Sequence, residues 1–186
     1  GGLVGDTGPI DYDALVKIRE VIIDTEPLVT HHDLDDRLAP RPELNITVNA
    51  GFGSSPSGRF DIVWTEKNCY HFHYIEEDGI EFRFDQHPEP NVPEKHFHEP
   101  PDATARVPSC IDVEPPELVT RAVLKCWRAA LAEMIHQDSI LNQIHPESTH
   151  TVLSILSVIL CFVSICFFDE SPDDIFIAIT PIFPIM

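Results

Sequence analysis

Five of the ten histidines, His71, His73, His87, His96 and His98, fall within 28 consecutive residues, and Arg83 and Asp85 lie among them. Imidazole titrates nearest neutral pH of all side chains, so such a cluster can accept and deliver protons or ligate a metal. A guanidinium beside it can hold a phosphate through two parallel hydrogen bonds. Asp85 can orient His73 or His71 by holding one ring nitrogen. The i,i+2 pairs His71/His73 and His96/His98 can also converge on one ion, with Asp85 as an oxygen ligand. Imidazole and carboxylate donors suit zinc, nickel or iron, although the spacing matches no helical metalloprotease motif. A third role is structural: a proline-rich loop needs side-chain support, and the rings can pack on Trp64, Tyr70 or Phe84 while hydrogen-bonding the loop backbone.

The elements that must present these groups read as α+β. Leu15, Ile18 and Ile22 share a helical face, which predicts a helix over 12–24 with Asp11 as N-cap. Pro27 ends it, and 28–43 reads as a polar loop with at most a short helical turn near 33–38, leaving His31 and His32 in solvent. Alternating β-formers predict an antiparallel meander of about four strands over 44–48, 59–65, 69–76 and 80–85, with Asp78-Gly79 turning the last hairpin. The period of two puts His71 with His73, and Arg83 with Asp85, on single faces. Whether the two faces coincide depends on register. Eight prolines between Gln86 and Pro116 predict a stiff loop. Beyond it, apolar residues from Leu118 to Met134 repeat at three and four, the mark of a long helix over 115–136 packed across the sheet.

These elements divide the chain into an N-terminal helix and polar linker (1–43), a sheet, His/Pro loop and packing helix (44–137), and a linker with a hydrophobic tail (138–186). The formal charge is −19, which repels phosphate backbones at long range and suits a surface screened by high salt. Local cations at Arg59, Arg83, Lys95 and Arg106 are the residues left to steer a nucleic acid. Five cysteines without CxxC spacing fit reduced or buried thiols. No N-terminal signal peptide is visible, which points to the cytoplasm. Residues 151–168 carry no charge over eighteen positions, the marginal length of a membrane span, and burial or a non-native hydrophobic tail is favoured over membrane association because no Lys or Arg follows residue 128.

The runs Asp61-Ile62-Val63-Trp64, Phe72-His73-Tyr74, Arg83-Phe84-Asp85, His87-Pro88-Glu89-Pro90 and His96-Phe97-His98-Glu99-Pro100-Pro101-Asp102-Ala103 resemble an uncharacterised haloarchaeal His/Pro-rich family. More remotely, the set His73, Gly79, Arg83, Asp85, His87, Pro93, His96 and His98 resembles the TumE family of toxins from toxin–antitoxin pairs, with Gln86 standing where those toxins favour asparagine. The resemblance implies a toxin with a cognate antitoxin partner and an RNA substrate. Metal-independent RNA cleavage needs a base for the 2′-hydroxyl proton, an acid for the leaving oxygen and a cation for the phosphate. His73 and His98 are then the acid/base candidates, with Arg83 and Asp85 completing the catalytic set. A metal-binding protein, or a non-enzymatic interaction domain with a structural His/Pro loop, is the alternative.

Overall fold

The computed structural model describes residues 7–144. Helix α1 (Tyr12–Thr25) is followed by strands β1 (Val29–Leu34), β2 (Leu44–Val48), β3 (Gly58–Trp64), β4 (Tyr70–Glu76), β5 (Glu81–Gln86), β6 (Lys95–His98) and β7 (Arg106–Pro108), and then by helix α2 (Pro116–Ile144). Each strand pairs antiparallel with its neighbour in sequence, so the sheet is a seven-stranded meander. The class is α+β, with seven strands where the alternation predicts about four. Asp11 caps α1 by accepting a hydrogen bond from the Ala14 amide at 3.0 Å.

Alternation along the strands sends Leu44, Ile46, Val48, Phe60, Ile62, Trp64, Tyr70, Phe72, Tyr74, Phe82, Phe84 and Phe97 into the core. The same core takes in Leu15, Ile18 and Ile22 of α1 and Val119, Val123, Trp127 and Ala130 of α2. Trp127 meets Phe60 edge-on at 5.9 Å, which seats α2 on the middle of the sheet. Gly58 is required by this packing, because a Cβ there would sit 2.1 Å from the Tyr74 hydroxyl. Gly79 turns the β4–β5 hairpin with φ of 91°, a conformation open to glycine without steric cost. With one face covered by helices, the opposite face is free to be polar.

Three strands depart from the sequence reading. β1 occupies a segment read as loop, because an edge strand with one neighbour can be polar along its length; its residues are half-buried or exposed. The expected turn follows it, closed by the Ala39 amide on the Asp36 carbonyl. β6 and β7 lie inside the segment read as a proline-stiffened loop. The prolines there flank Lys95–His98, so β6 keeps every amide it needs, and Pro108 sits at the end of edge strand β7 where no donor is required. Cys69 and Cys126 are buried as expected, whereas Cys110 is disulfide-bonded. Among the described residues no helix is long and apolar enough to cross a membrane, and segment 151–168 lies outside them.

Candidate functional site on the polar face of the sheet

Register brings the predicted residues onto one face. His73 lies opposite Arg83, and Arg83 opposite His98, so one row runs His73–Arg83–His98 across β4, β5 and β6. The adjacent row runs His71–Asp85–His96 across the same strands. Six of the seven groups singled out from sequence, His71, His73, His96 and His98 with Arg83 and Asp85, thus meet on the side of the sheet away from the helices.

Asp85 is the hub. Its side chain is 1% exposed, and Oδ2 accepts a hydrogen bond from Arg83 Nε at 2.7 Å. The same oxygen lies 3.1 Å from His98 Nε2 and 3.6 Å from Nε2 of both His96 and His87. Burial alone would raise the Asp85 carboxyl, but His96, His98 and the Arg83 guanidinium outweigh it and hold it well below the usual carboxylate range. Burial alone would likewise lower His96; the Asp85 carboxylate and the Pro93 carbonyl raise it instead. The 3.6 Å separation exceeds hydrogen-bond length, so the attraction between His96 and Asp85 is electrostatic at this geometry.

The proton arrangement of His98 follows from its neighbours. Nδ1 faces the Ala103 carbonyl at 2.9 Å, and a carbonyl can only accept, so Nδ1 carries a proton. In the neutral ring Nε2 is then a lone pair that accepts from Arg83 Nη2 at 3.0 Å, and in the protonated ring Nε2 donates to Asp85 Oδ2 at 3.1 Å instead. Arg83 is therefore clamped at Nε by a carboxylate and at Nη2 by an imidazole, which leaves Nη1 uncommitted by these bonds. Ala103 adopts a left-handed φ of 52°, aiming its carbonyl back at the ring.

His73 stands apart from the hub. Its Nε2 donates to Glu81 Oε2 at 2.8 Å, so the carboxylate that orients it is Glu81 and not Asp85. Burial lowers its pKa, with the Glu81 hydrogen bond opposing. His71 Nε2 sits 3.7 Å from Glu43. Among the described residues the metal-competent grouping is Asp85, His87 and His96, which replaces the His71/His73 and His96/His98 pairs expected from spacing. His87 was legible: Arg83, Asp85 and His87 continue one alternation past the end of β5. Glu81 belongs to the same alternation and was equally open to reading.

The backbone part of the structural role expected of the rings is also present, since His96 Nδ1 bonds the Pro93 carbonyl at 2.9 Å and His98 bonds Ala103; Trp64, Tyr70 and Phe84 lie instead in the core, and the His96 ring meets those of His87 and His98. The four cations named for steering nucleic acid are all engaged by carboxylates: Arg59 by Asp61, Arg83 by Asp85, Lys95 by Asp112 and Arg106 by Glu89.

The fold and site together define an α+β domain whose meander carries a clamped arginine and a buried imidazole–carboxylate cluster on its open face. A family profile described as toxin TumE matches residues 18–135, well over half of the chain and the whole of this sheet. The chain belongs to the toxin TumE family. No curated protein and no solved structure matches it.

Proposed function

We propose that this toxin-family protein is a ribonuclease that cleaves RNA through its own side chains and is held in check by a cognate antitoxin protein. The observation that carries the reading is the His73–Arg83–His98 row. Within it the His73 and Arg83 side chains are 13% and 18% exposed, against 3% for His98. The groups that meet substrate are therefore His73 and Arg83, while Asp85 and His98 act as positioning residues that fix the guanidinium.

With Nε2 donating to Glu81, neutral His73 presents Nδ1 as a lone pair. That nitrogen takes the 2′-hydroxyl proton, the 2′-oxygen forms a bond to phosphorus, and the P–O5′ bond breaks with O5′ taking a proton from water. Arg83, held from behind, offers Nη1 to the phosphoryl oxygens as negative charge builds on them. A guanidinium fixed before the substrate arrives loses little entropy on binding, which is the value of clamping it from two sides.

The test expresses wild type and His73→Ala in a sensitive host and assays the purified proteins on RNA. Wild type inhibits growth and cleaves RNA; His73→Ala loses roughly a hundredfold in cleavage rate, the scale of a positioned general base. Equal growth for both, with no cleavage by wild type, would leave the reading without support.

A further inference from the structure

We propose that Asp85, His87 and His96 form a buried binding site for one divalent transition-metal ion of the zinc class, set behind the Arg83 row. The three side chains come from the end of β5, the residue just past it, and β6, where Asp85 and His96 are direct cross-strand partners. Nε2 of His87 and of His96 each stand 3.6 Å from Asp85 Oδ2, and the ligand atoms of all three lie within 4.8 Å of one another. Tetrahedral ligands with metal bonds of about 2.0–2.1 Å stand about 3.4 Å apart, so both histidine–aspartate separations are already near that spacing, and the two imidazoles close on each other by no more than about 1.4 Å.

Two further observations point to a ligand. Asp85 Oδ1 and His96 Nε2 are buried and have no hydrogen-bond partner among the described residues. Buried polar atoms are rarely left so, and these two belong to the same cluster. The ring orientation agrees. His96 Nδ1 donates to the Pro93 carbonyl at 2.9 Å, and His87 Nδ1 faces the Pro88 carbonyl at 3.5 Å. A proton held on Nδ1 by a backbone carbonyl leaves Nε2 as a lone pair aimed inward, the arrangement that fixes metal-bound imidazoles.

Two imidazoles and a carboxylate are borderline to hard donors, which selects zinc, nickel or ferrous iron over calcium or magnesium. The side chains are 0–3% exposed, so the ion has no face open to RNA. Its effect is mechanical: it ties the loop between β5 and β6 to the sheet and fixes Asp85, whose Oδ2 also accepts from Arg83 Nε. The inference uses neither group proposed to touch RNA.

The test strips the full chain with chelator, dialyses it against Zn²⁺ or Co²⁺ alone, and measures bound metal while circular dichroism reports folding. One ion binds per chain, and Co²⁺ gives the visible absorption of low coordination number. His87→Ala and His96→Ala each weaken binding by about tenfold or more, whereas His73→Ala retains the ion. Folded wild type without a stoichiometric ion overturns the site, as does equal retention by both variants. If His96→Ala fails to fold, His87→Gln supplies the same comparison. The readout contains no RNA: metal binding without cleavage rejects the ribonuclease reading alone, and cleavage without metal binding rejects the site alone.

Discussion

At the scale of single residues, two histidines with the same intrinsic chemistry are driven in opposite directions by their surroundings. Burial lowers His73 despite its bond to Glu81, while the Asp85 carboxylate raises His96 against the effect of its own burial. For a general base at His73, the neutral form is the active one, and it persists below the ordinary imidazole value. The acidic limb of kcat/KM for RNA cleavage therefore falls below about pH 6.5. The sign for stability is the same: His73 binds its proton less readily folded than unfolded, so its contribution is present above the unfolded pKa and is lost as pH falls through the folded one. A pH–rate profile with its acidic limb above the ordinary imidazole value would assign the proton transfer to another group. Residue types pointed to His73, Arg83, Asp85 and His98. They could not say which carboxylate would orient which ring, because Glu81 and Asp85 are four residues apart on one strand and each meets a different neighbour across the ladder.

At the scale of elements, the site depends on β6, whose four residues place His96 and His98 beside Asp85 and Arg83. What holds β6 is mainly Phe97, 2% exposed and packed 4.5 Å from Phe84 and 6.1 Å from Phe82, ring centre to ring centre. Phe97→Ala opens a cavity under the strand and costs about 3–5 kcal/mol. Denaturant unfolding measures the loss, and faster hydrogen exchange at the β6 amides localises it. A loss under about 1 kcal/mol with β6 still protected would mean that pairing alone secures the strand. The central strands and both helices were legible because their apolar periods of two and 3.6 extend over enough residues to stand out. β6 was hidden by the prolines around it, although the alternation of His96, Phe97 and His98 carried the signal. β1 and β7 gave little signal, since edge strands need no apolar pattern to pair.

At the scale of the whole molecule, the acidic charge is the dominant fact. Helices α1 and α2 are joined by Arg128, which donates to the buried Glu26 carboxylate at 2.5 Å and to the Thr25 carbonyl at 3.1 Å. Most other cations are likewise spent on local carboxylates, and the remaining −19 repels itself across the surface. Raising KCl from about 0.1 M to about 1 M shortens the screening length from about 10 Å to about 3 Å. Thermal unfolding followed by circular dichroism then moves to higher temperature. A Tm that stays constant or falls over this range would show that surface repulsion does not limit the stability of the fold.

The sequence by itself determined the α+β class, the amphipathic helices, the core strands, the acidic surface and the list of groups able to do chemistry. Each of these follows from residue type and from periodicity along the chain, which are local. The tertiary structure alone decided how those groups combine. A shift of one residue in the β4–β5 or β5–β6 register would have turned the histidines away from Arg83 and Asp85. The observed pairings bring His71, His73, His96 and His98 onto one face with the arginine and the aspartate, and His87 joins them just past the end of β5. Register is set by packing against the helices and by turn geometry across distant residues, and only the folded chain contains it.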